Sequence, residues 1–343
     1  MSETKPYPPS FLDRFMNWIK SLPIPYWLTY LLLFTLQSLI FHILSWLDGW
    51  IPRYTFNAMI LLFPTWQWLT LLAVTHLNSV AEETLSTFSP LLNTDEDGLK
   101  KIKYEFTHMP TNHVLGSVLF WAAAYIPVVL FTTYPLLISY GIGKAFWAIV
   151  MIEGLLCYSI GSIIYYHSVR QLLLVNRAVK QVGRFNLFQL EPVYAFSRLT
   201  ARTGISWILL LSLTLLLFPL ELGNGVLFGI YFIQILMAGG AFVLPLWFVH
   251  GRLVAEKRKL ISELNLRVQG AIQRLNNALK MDEKDDMDHF SNALMGLGAE
   301  RDVLKDIPTW PWRAGTLTGF LSAIVLPIVL FLIQYVIEKW LSG

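Results

Sequence analysis

From Val226 to Val249 the chain runs for 24 residues without a charged side chain and then passes directly into HGRLVAEKRKLISELNLRVQGAIQR. A hydrocarbon layer ~30 Å thick takes ~20 helical residues at ~1.5 Å each. The stretch therefore reads as a membrane span that continues into water as a charged helix. After His250 the apolar residues recur every seven positions: Val254, Ile261, Val268 and Leu275 form one row, and Leu264, Ala271 and Ala278 the other. This is the seam of a helix that packs on a second helix. After the break at MDEKDD, Met287, Phe290, Leu294, Leu297 and Leu304 supply an apolar stripe at three-and-four spacing.

Six further runs meet the same test, so the spans are expected at 26–47, 55–77, 114–139, 145–166, 204–219, 226–249 and 315–337. The fifth is the shortest. Composition agrees, since 55% of the 343 residues are hydrophobic and only 14% are charged, where a soluble domain carries about a quarter. The fold class expected is all-α: a polytopic membrane helix bundle of about seven transmembrane helices with a cytoplasmic antiparallel, coiled-coil-like hairpin.

Lys and Arg are retained in cytoplasmic loops during insertion, which gives the chain a direction. With the N-terminus inside, 23 of the 26 basic residues fall on inner segments; only Arg53, Lys144 and Lys339 fall outside. Trp27, Trp207, Trp247, Trp310 and Trp312 then sit at inner span ends, and Trp46, Trp50, Trp147 and Trp340 at outer ends. The expected organisation is a cytoplasmic N-terminal segment (1–25) and a six-span bundle (26–249) with cytoplasmic excursions at 78–113 and 167–203. A cytoplasmic hairpin (250–307) and an interfacial Trp/Pro segment with the last span and a short outer tail (308–343) follow. Spans two, four and six each run down to a histidine (His76, His167, His250) and continue as helix, a layout compatible with a threefold repeat.

Of 23 acidic residues only Glu153 lies within a span. An ionisable group there costs at least ~2.5 kcal/mol on insertion scales, so it requires a partner or a wet pocket. Residue counting puts His42 and Gln234 in the same outer half, and an intramembrane polar cluster of Glu153, His42 and Gln234 is expected. It serves either a cation or proton pathway or interhelical hydrogen bonding. The Gly239, Gly240, Pro245 segment of span six is the best hinge candidate, because it feeds the hairpin directly.

The second excursion carries Arg170, Arg177, Lys180, Arg184, Arg198 and Arg202 against Glu191 alone, interleaved with Phe185, Phe188, Tyr194 and Phe196. These are candidate lipid-headgroup contacts, unless the aromatics pack beneath the bundle. In the first excursion Thr94 and Asp97 are expected to cap a short helix that presents Leu99, Ile102 and Phe106 and ends at Pro110.

No catalytic motif is found, and no cofactor or metal site is expected. GIGK at 141–144 lacks the length and the Ser/Thr of a phosphate loop. The three histidines have no ligand-type spacing. The lone Cys157 permits no disulfide within the chain, and a net charge of +3 gives nucleic-acid binding no support. The partners expected are the lipid bilayer and, through 253–304, a second copy or a cytoplasmic protein. Two function classes remain: a non-enzymatic signalling or scaffolding subunit acting through the hairpin, and an ion channel or small-solute transporter with its polar site around Glu153.

Overall fold

A computed structural model describes residues 6–133, 143–183, 185–217, 225–281 and 284–342. Arg184, the Ala278 side chain and most of the short connections expected around 140–144 and 221–225 lie outside the described residues. Eleven helices are used below: α1 (Phe11–Ser21), α2 (Tyr26–Asp48), α3 (Ala58–Leu91), α4 (Glu96–Thr107), α5 (Thr111–Phe131), α6 (Lys144–Gly161), α7 (Ile163–Lys180), α8 (Glu191–Leu217), α9 (Gly225–Met281), α10 (Lys284–Asp306) and α11 (Ala314–Ser342). Among the described residues, seven helical stretches are long and apolar enough to cross a membrane, α6 and α7 joining at Ser162 to make one of them.

The outer surface of these stretches is apolar. Leu36 and Leu39 on α2, Leu119 and Phe120 on α5, and Val325 and Leu332 on α11 are all at least half exposed. Rows of exposed large aliphatics suit a lipid environment and not water. The chain is an integral, multi-pass membrane protein.

Packing occurs in two tiers. Between the spans, Tyr30, Leu71, Val74, Ile163, Ile164, Ile208, Phe242 and Leu246 form a core. Apolar burial gains little there, because lipid is as apolar as leucine; close approach and interhelical hydrogen bonds hold the helices instead. Gly204 shows the close approach: a Cβ there would stand 2.6 Å from Phe320 and 2.9 Å from the Ala238 carbonyl. Tyr30 and Thr75 share a 2.9 Å hydrogen bond, and the Trp66 indole donates to Thr214 at 2.9 Å.

The second tier is built by the same helices beyond the apolar girdle. Val80, Leu85 and Phe88 of α3, Val175 and Val179 of α7, Val193, Phe196 and Leu199 of α8, and Val249 and Leu253 of α9 are all buried together. Phe88 and Phe196 meet with ring centroids 4.2 Å apart. Each large side chain removed from water in this tier contributes ~1.5–3 kcal/mol. Spans two, four and six thus run on past His76, His167 and His250 without a break in the helix.

Three elements differ from the sequence expectation. Residues 11–21 form a helix within the N-terminal segment, for which no element was expected. Ser10 and Asp13 cap it reciprocally, and Leu12, Met16 and Ile19 are buried against the bundle. The α4 cap is Asp95, which accepts from the Gly98 amide at 2.9 Å; Thr94 stands one residue too early. Helix α8 begins at Glu191, thirteen residues before the expected span, because Pro192 sits favourably in a first turn and Val193, Phe196 and Leu199 have the second tier to bury in.

Helix α9 is continuous over 57 residues, with Pro245 inside it. Arg252 donates to the Val182 carbonyl at 3.0 Å, and His250 Nδ1 lies 3.0 Å from the Thr309 carbonyl with its ring stacked on Trp310. Lys257 donates to the carbonyls of Lys305 (2.6 Å) and Ile307 (2.8 Å), and Arg267 pairs with Glu300. Pairing of 257 with 305 and of 267 with 300 makes α9 and α10 antiparallel. Leu264 and Leu304 are buried, and Val254, Ile261, Val268, Leu275, Phe290, Leu294 and Leu297 are half-buried; the Met287 side chain lies outside the described residues.

Candidate functional site

Two polar constellations stand out, one within the spans and one at the end of the bundle where the long connections lie.

The first centres on Glu153 of α6. Gln37 of α2 donates to its Oε2 at 2.8 Å and Gln67 of α3 donates to the same oxygen at 2.9 Å. Gln37 also donates to Gln67 Oε1 at 2.6 Å and accepts from the Trp68 indole. Local chain geometry explains the convergence. Pro64 has no N–H to give the helical ladder, and the next five residues, Thr65–Leu69, adopt a π turn. The wider turn buries Gln67 and directs Trp68 at α2. The two amides spend both donors and acceptors inside the network. Among the described residues no Lys or Arg lies within 4 Å of Glu153. The arrangement solvates one carboxyl oxygen with two amide N–H groups and ties three spans together.

Of the partners expected from counting, His42 is engaged elsewhere and Gln234 is not brought to the carboxyl. His42 Nδ1 lies 2.8 Å from the Ser38 carbonyl, and its Nε2 accepts from the Asn57 amide at 3.3 Å, with Phe56 stacked on the ring. Gln234 is half-buried on α9 and makes no hydrogen bond to Glu153. The signal for the true partners was present as two glutamines in otherwise apolar runs.

The second constellation gathers around the Phe106–Pro110 turn. Asp13 of α1 is buried at 2% exposure, and its Oδ2 accepts from the Ser10 amide (2.9 Å), the Ser10 hydroxyl (2.8 Å) and the Met109 amide (2.8 Å). Its Oδ1 is buried without a hydrogen-bond partner. Burial outweighs these bonds and raises the carboxyl pKa above its ordinary value. Tyr7 donates to the His108 carbonyl at 3.0 Å and accepts from Arg170, which also donates to that carbonyl at 2.7 Å. Burial, opposed by the neighbouring Arg170 charge, pushes the Tyr7 phenol up to about 12. Gln171 donates to the Phe106 carbonyl at 2.9 Å, and His167 meets Asn78 at 2.6 Å. The N-terminal segment is thus locked onto α4, α5 and α7 by polar bonds to one turn.

The basic residues of the second excursion have separate fates. Arg170 is held as above, and Arg177 is exposed. Lys180 lies over the Phe248 ring, Arg198 pairs with Glu83 at 3.5 Å, and Arg202 faces His76 at 3.3 Å. Phe185 and Phe196 pack into the second tier, whereas Phe188 is 65% exposed. The three histidines each face a different partner: Arg202, Asn78 and Thr309.

At the hinge candidate the helix is unbroken. A Cβ on Gly239 would meet nothing within 4 Å, and one on Gly240 only Leu244 at 3.6 Å. Beside them a cleft of about 420 Å³ is lined by Phe242, Leu317, Phe320 and other apolar side chains. A second cleft, of about 580 Å³, lies between α5 and α7. Neither is lined by Glu153, Gln37 or Gln67.

Comparison of the chain with protein-family models, curated proteins and solved structures returns no match.

Proposed function

We propose that the protein is a non-enzymatic, membrane-anchored signalling or scaffolding subunit whose working part is the hairpin of α9 and α10, held in the cytoplasm. The observation that carries this is the continuity of α9, 57 residues or about 85 Å at ~1.5 Å per residue, from within the bundle to the hairpin tip. The hairpin root is clamped through Arg252, Lys257 and His250, so a displacement of the membrane half reaches the tip through a rigid element. Ile272 and Leu279, one heptad apart on α9, are 41% and 57% exposed, and Met295 and Val303 on α10 are more than half exposed. Such side chains, away from the bundle, supply area for a second copy or a soluble partner.

The channel or transporter reading draws less support. Both glutamines beside Glu153 spend their amides on one another and on the carboxyl, and neither cleft approaches that network.

The test is association. Replacing residues 261–304 with a short Gly/Ser linker leaves the root intact, because Lys257 already touches Lys305. In detergent, the mass of the full chain with its co-purified proteins is expected to fall to that of the monomer in this variant and in Ile272→Glu/Leu279→Glu. Full retention of association by both variants removes the hairpin from the role.

A further inference from the structure

The cleft between α5 and α7 has a chemistry that the hairpin reading does not use. Its polar wall comes from Arg170 and Arg177, two helical turns apart on one face of α7, with His113 at the start of α5 and the Tyr7 and Tyr166 hydroxyls between them. Among the described residues neither arginine has a carboxylate within 4 Å. Two donors of the Arg170 guanidinium are committed, to His108 and Tyr7, which fixes its plane and leaves the rest of its five N–H groups available. Among the described residues of the lining Glu105 is the one acidic side chain, so the two arginines leave that described wall net positive. Deeper along both helices, Trp121 and Tyr165 make an aromatic wall. Val169 and Leu173, also in the lining, are 47% and 57% exposed on the helical continuation of the fourth span.

A soluble anion has no use for such walls, and a zwitterionic lipid, whose ammonium offsets its phosphate, gains less from the uncompensated charge than an anionic one. We propose that this cleft is a binding site for an anionic phospholipid, its phosphate between Arg170 and Arg177 and an acyl chain against Trp121 and Leu173. The N-terminal segment serves the site, because Tyr7 orients Arg170 from below.

The test uses the full chain in detergent, analysed by native mass spectrometry after exposure to phosphatidylglycerol, phosphatidylcholine or inorganic phosphate. Preferential retention of phosphatidylglycerol is expected, with no displacement by millimolar phosphate. Arg177→Gln removes an exposed side chain with no hydrogen bond or ion pair to another described residue, and is expected to cut that preference roughly 5-fold, the value of one surface arginine near an anionic headgroup. Leu173→Trp, which adds bulk to the apolar lining, is expected to reduce retention while the charge is unchanged. Equal retention of the two lipids, or a preference that survives both variants, overturns the proposal. Displacement by phosphate alone overturns the lipid assignment and leaves a free-anion site. Loss of hairpin association has no bearing on any of these outcomes.

Discussion

Asp13→Ala is the most informative single change outside the spans. The carboxylate closes the cap of α1 and is the acceptor for the buried Met109 amide. Loss of a capping side chain costs ~1 kcal/mol, and an orphaned buried amide a further ~1–3 kcal/mol. The sum, about 2–4 kcal/mol, falls on the junction of α1 with the Phe106–Pro110 turn. At 1.36 kcal/mol per tenfold, amide exchange near Met109 is expected to accelerate roughly 30- to 900-fold. Hydrogen exchange read by mass spectrometry on peptides spanning 107–113 measures this directly. Unchanged exchange there refutes the latch.

The pH dependence gives a second arm. Because the folded-state pKa of Asp13 is raised, the folded chain holds this proton more tightly than the unfolded chain does. The junction is therefore most stable below the ordinary carboxyl value near 3.8 and loses stability as pH rises through the interval up to the folded pKa. Asp13→Asn keeps an acceptor for Met109 without a titrating group. It is expected to be less damaging than alanine and to remove this slope.

Substitutions at two further positions probe the membrane tier. Glu153→Gln retains an acceptor for Gln37 and Gln67 and is expected to leave thermal unfolding in detergent nearly unchanged, whereas Glu153→Leu removes one hydrogen bond from each amide and costs ~1–2 kcal/mol at ~0.6 kcal/mol or more per interhelical bond. On the scaffold reading, ion flux into reconstituted vesicles is the same for wild type and Glu153→Gln; a flux lost in the variant reinstates transport. Gly204→Val drives a side chain into Phe320 and the Ala238 carbonyl, and is expected to destabilise the α8–α9–α11 contact by ~1–3 kcal/mol. An unaltered melting temperature contradicts that packing.

Spans were legible because an apolar run of bilayer length has few other uses. Helix α1 was equally legible in principle. Ser10 with Asp13 is a cap pattern, and Leu12, Met16 and Ile19 have helical spacing, but the segment is short beside the spans that follow. The partners of Glu153 were harder to read. Depth counting ranks residues along each span, but which face they present depends on helix rotation, and the π turn at Thr65–Leu69 shifts that rotation for Gln67. His42 had the right depth and the wrong neighbours. The Arg170–Tyr7 contact joins positions 163 residues apart, a pairing that no local pattern records.

The second tier has a consequence for biosynthesis. Phe88 and its neighbours on α3 are emerging from the ribosome while their cover, Phe196 and the α8 face, is still roughly a hundred codons away. At 5–20 residues per second that delay is about 5–20 s. Throughout it, a sticky stripe from Val80 to Leu92 hangs below an inserted pair of spans, so the nascent chain requires a holdase or the insertion machinery itself to shield that stripe until the fifth span arrives.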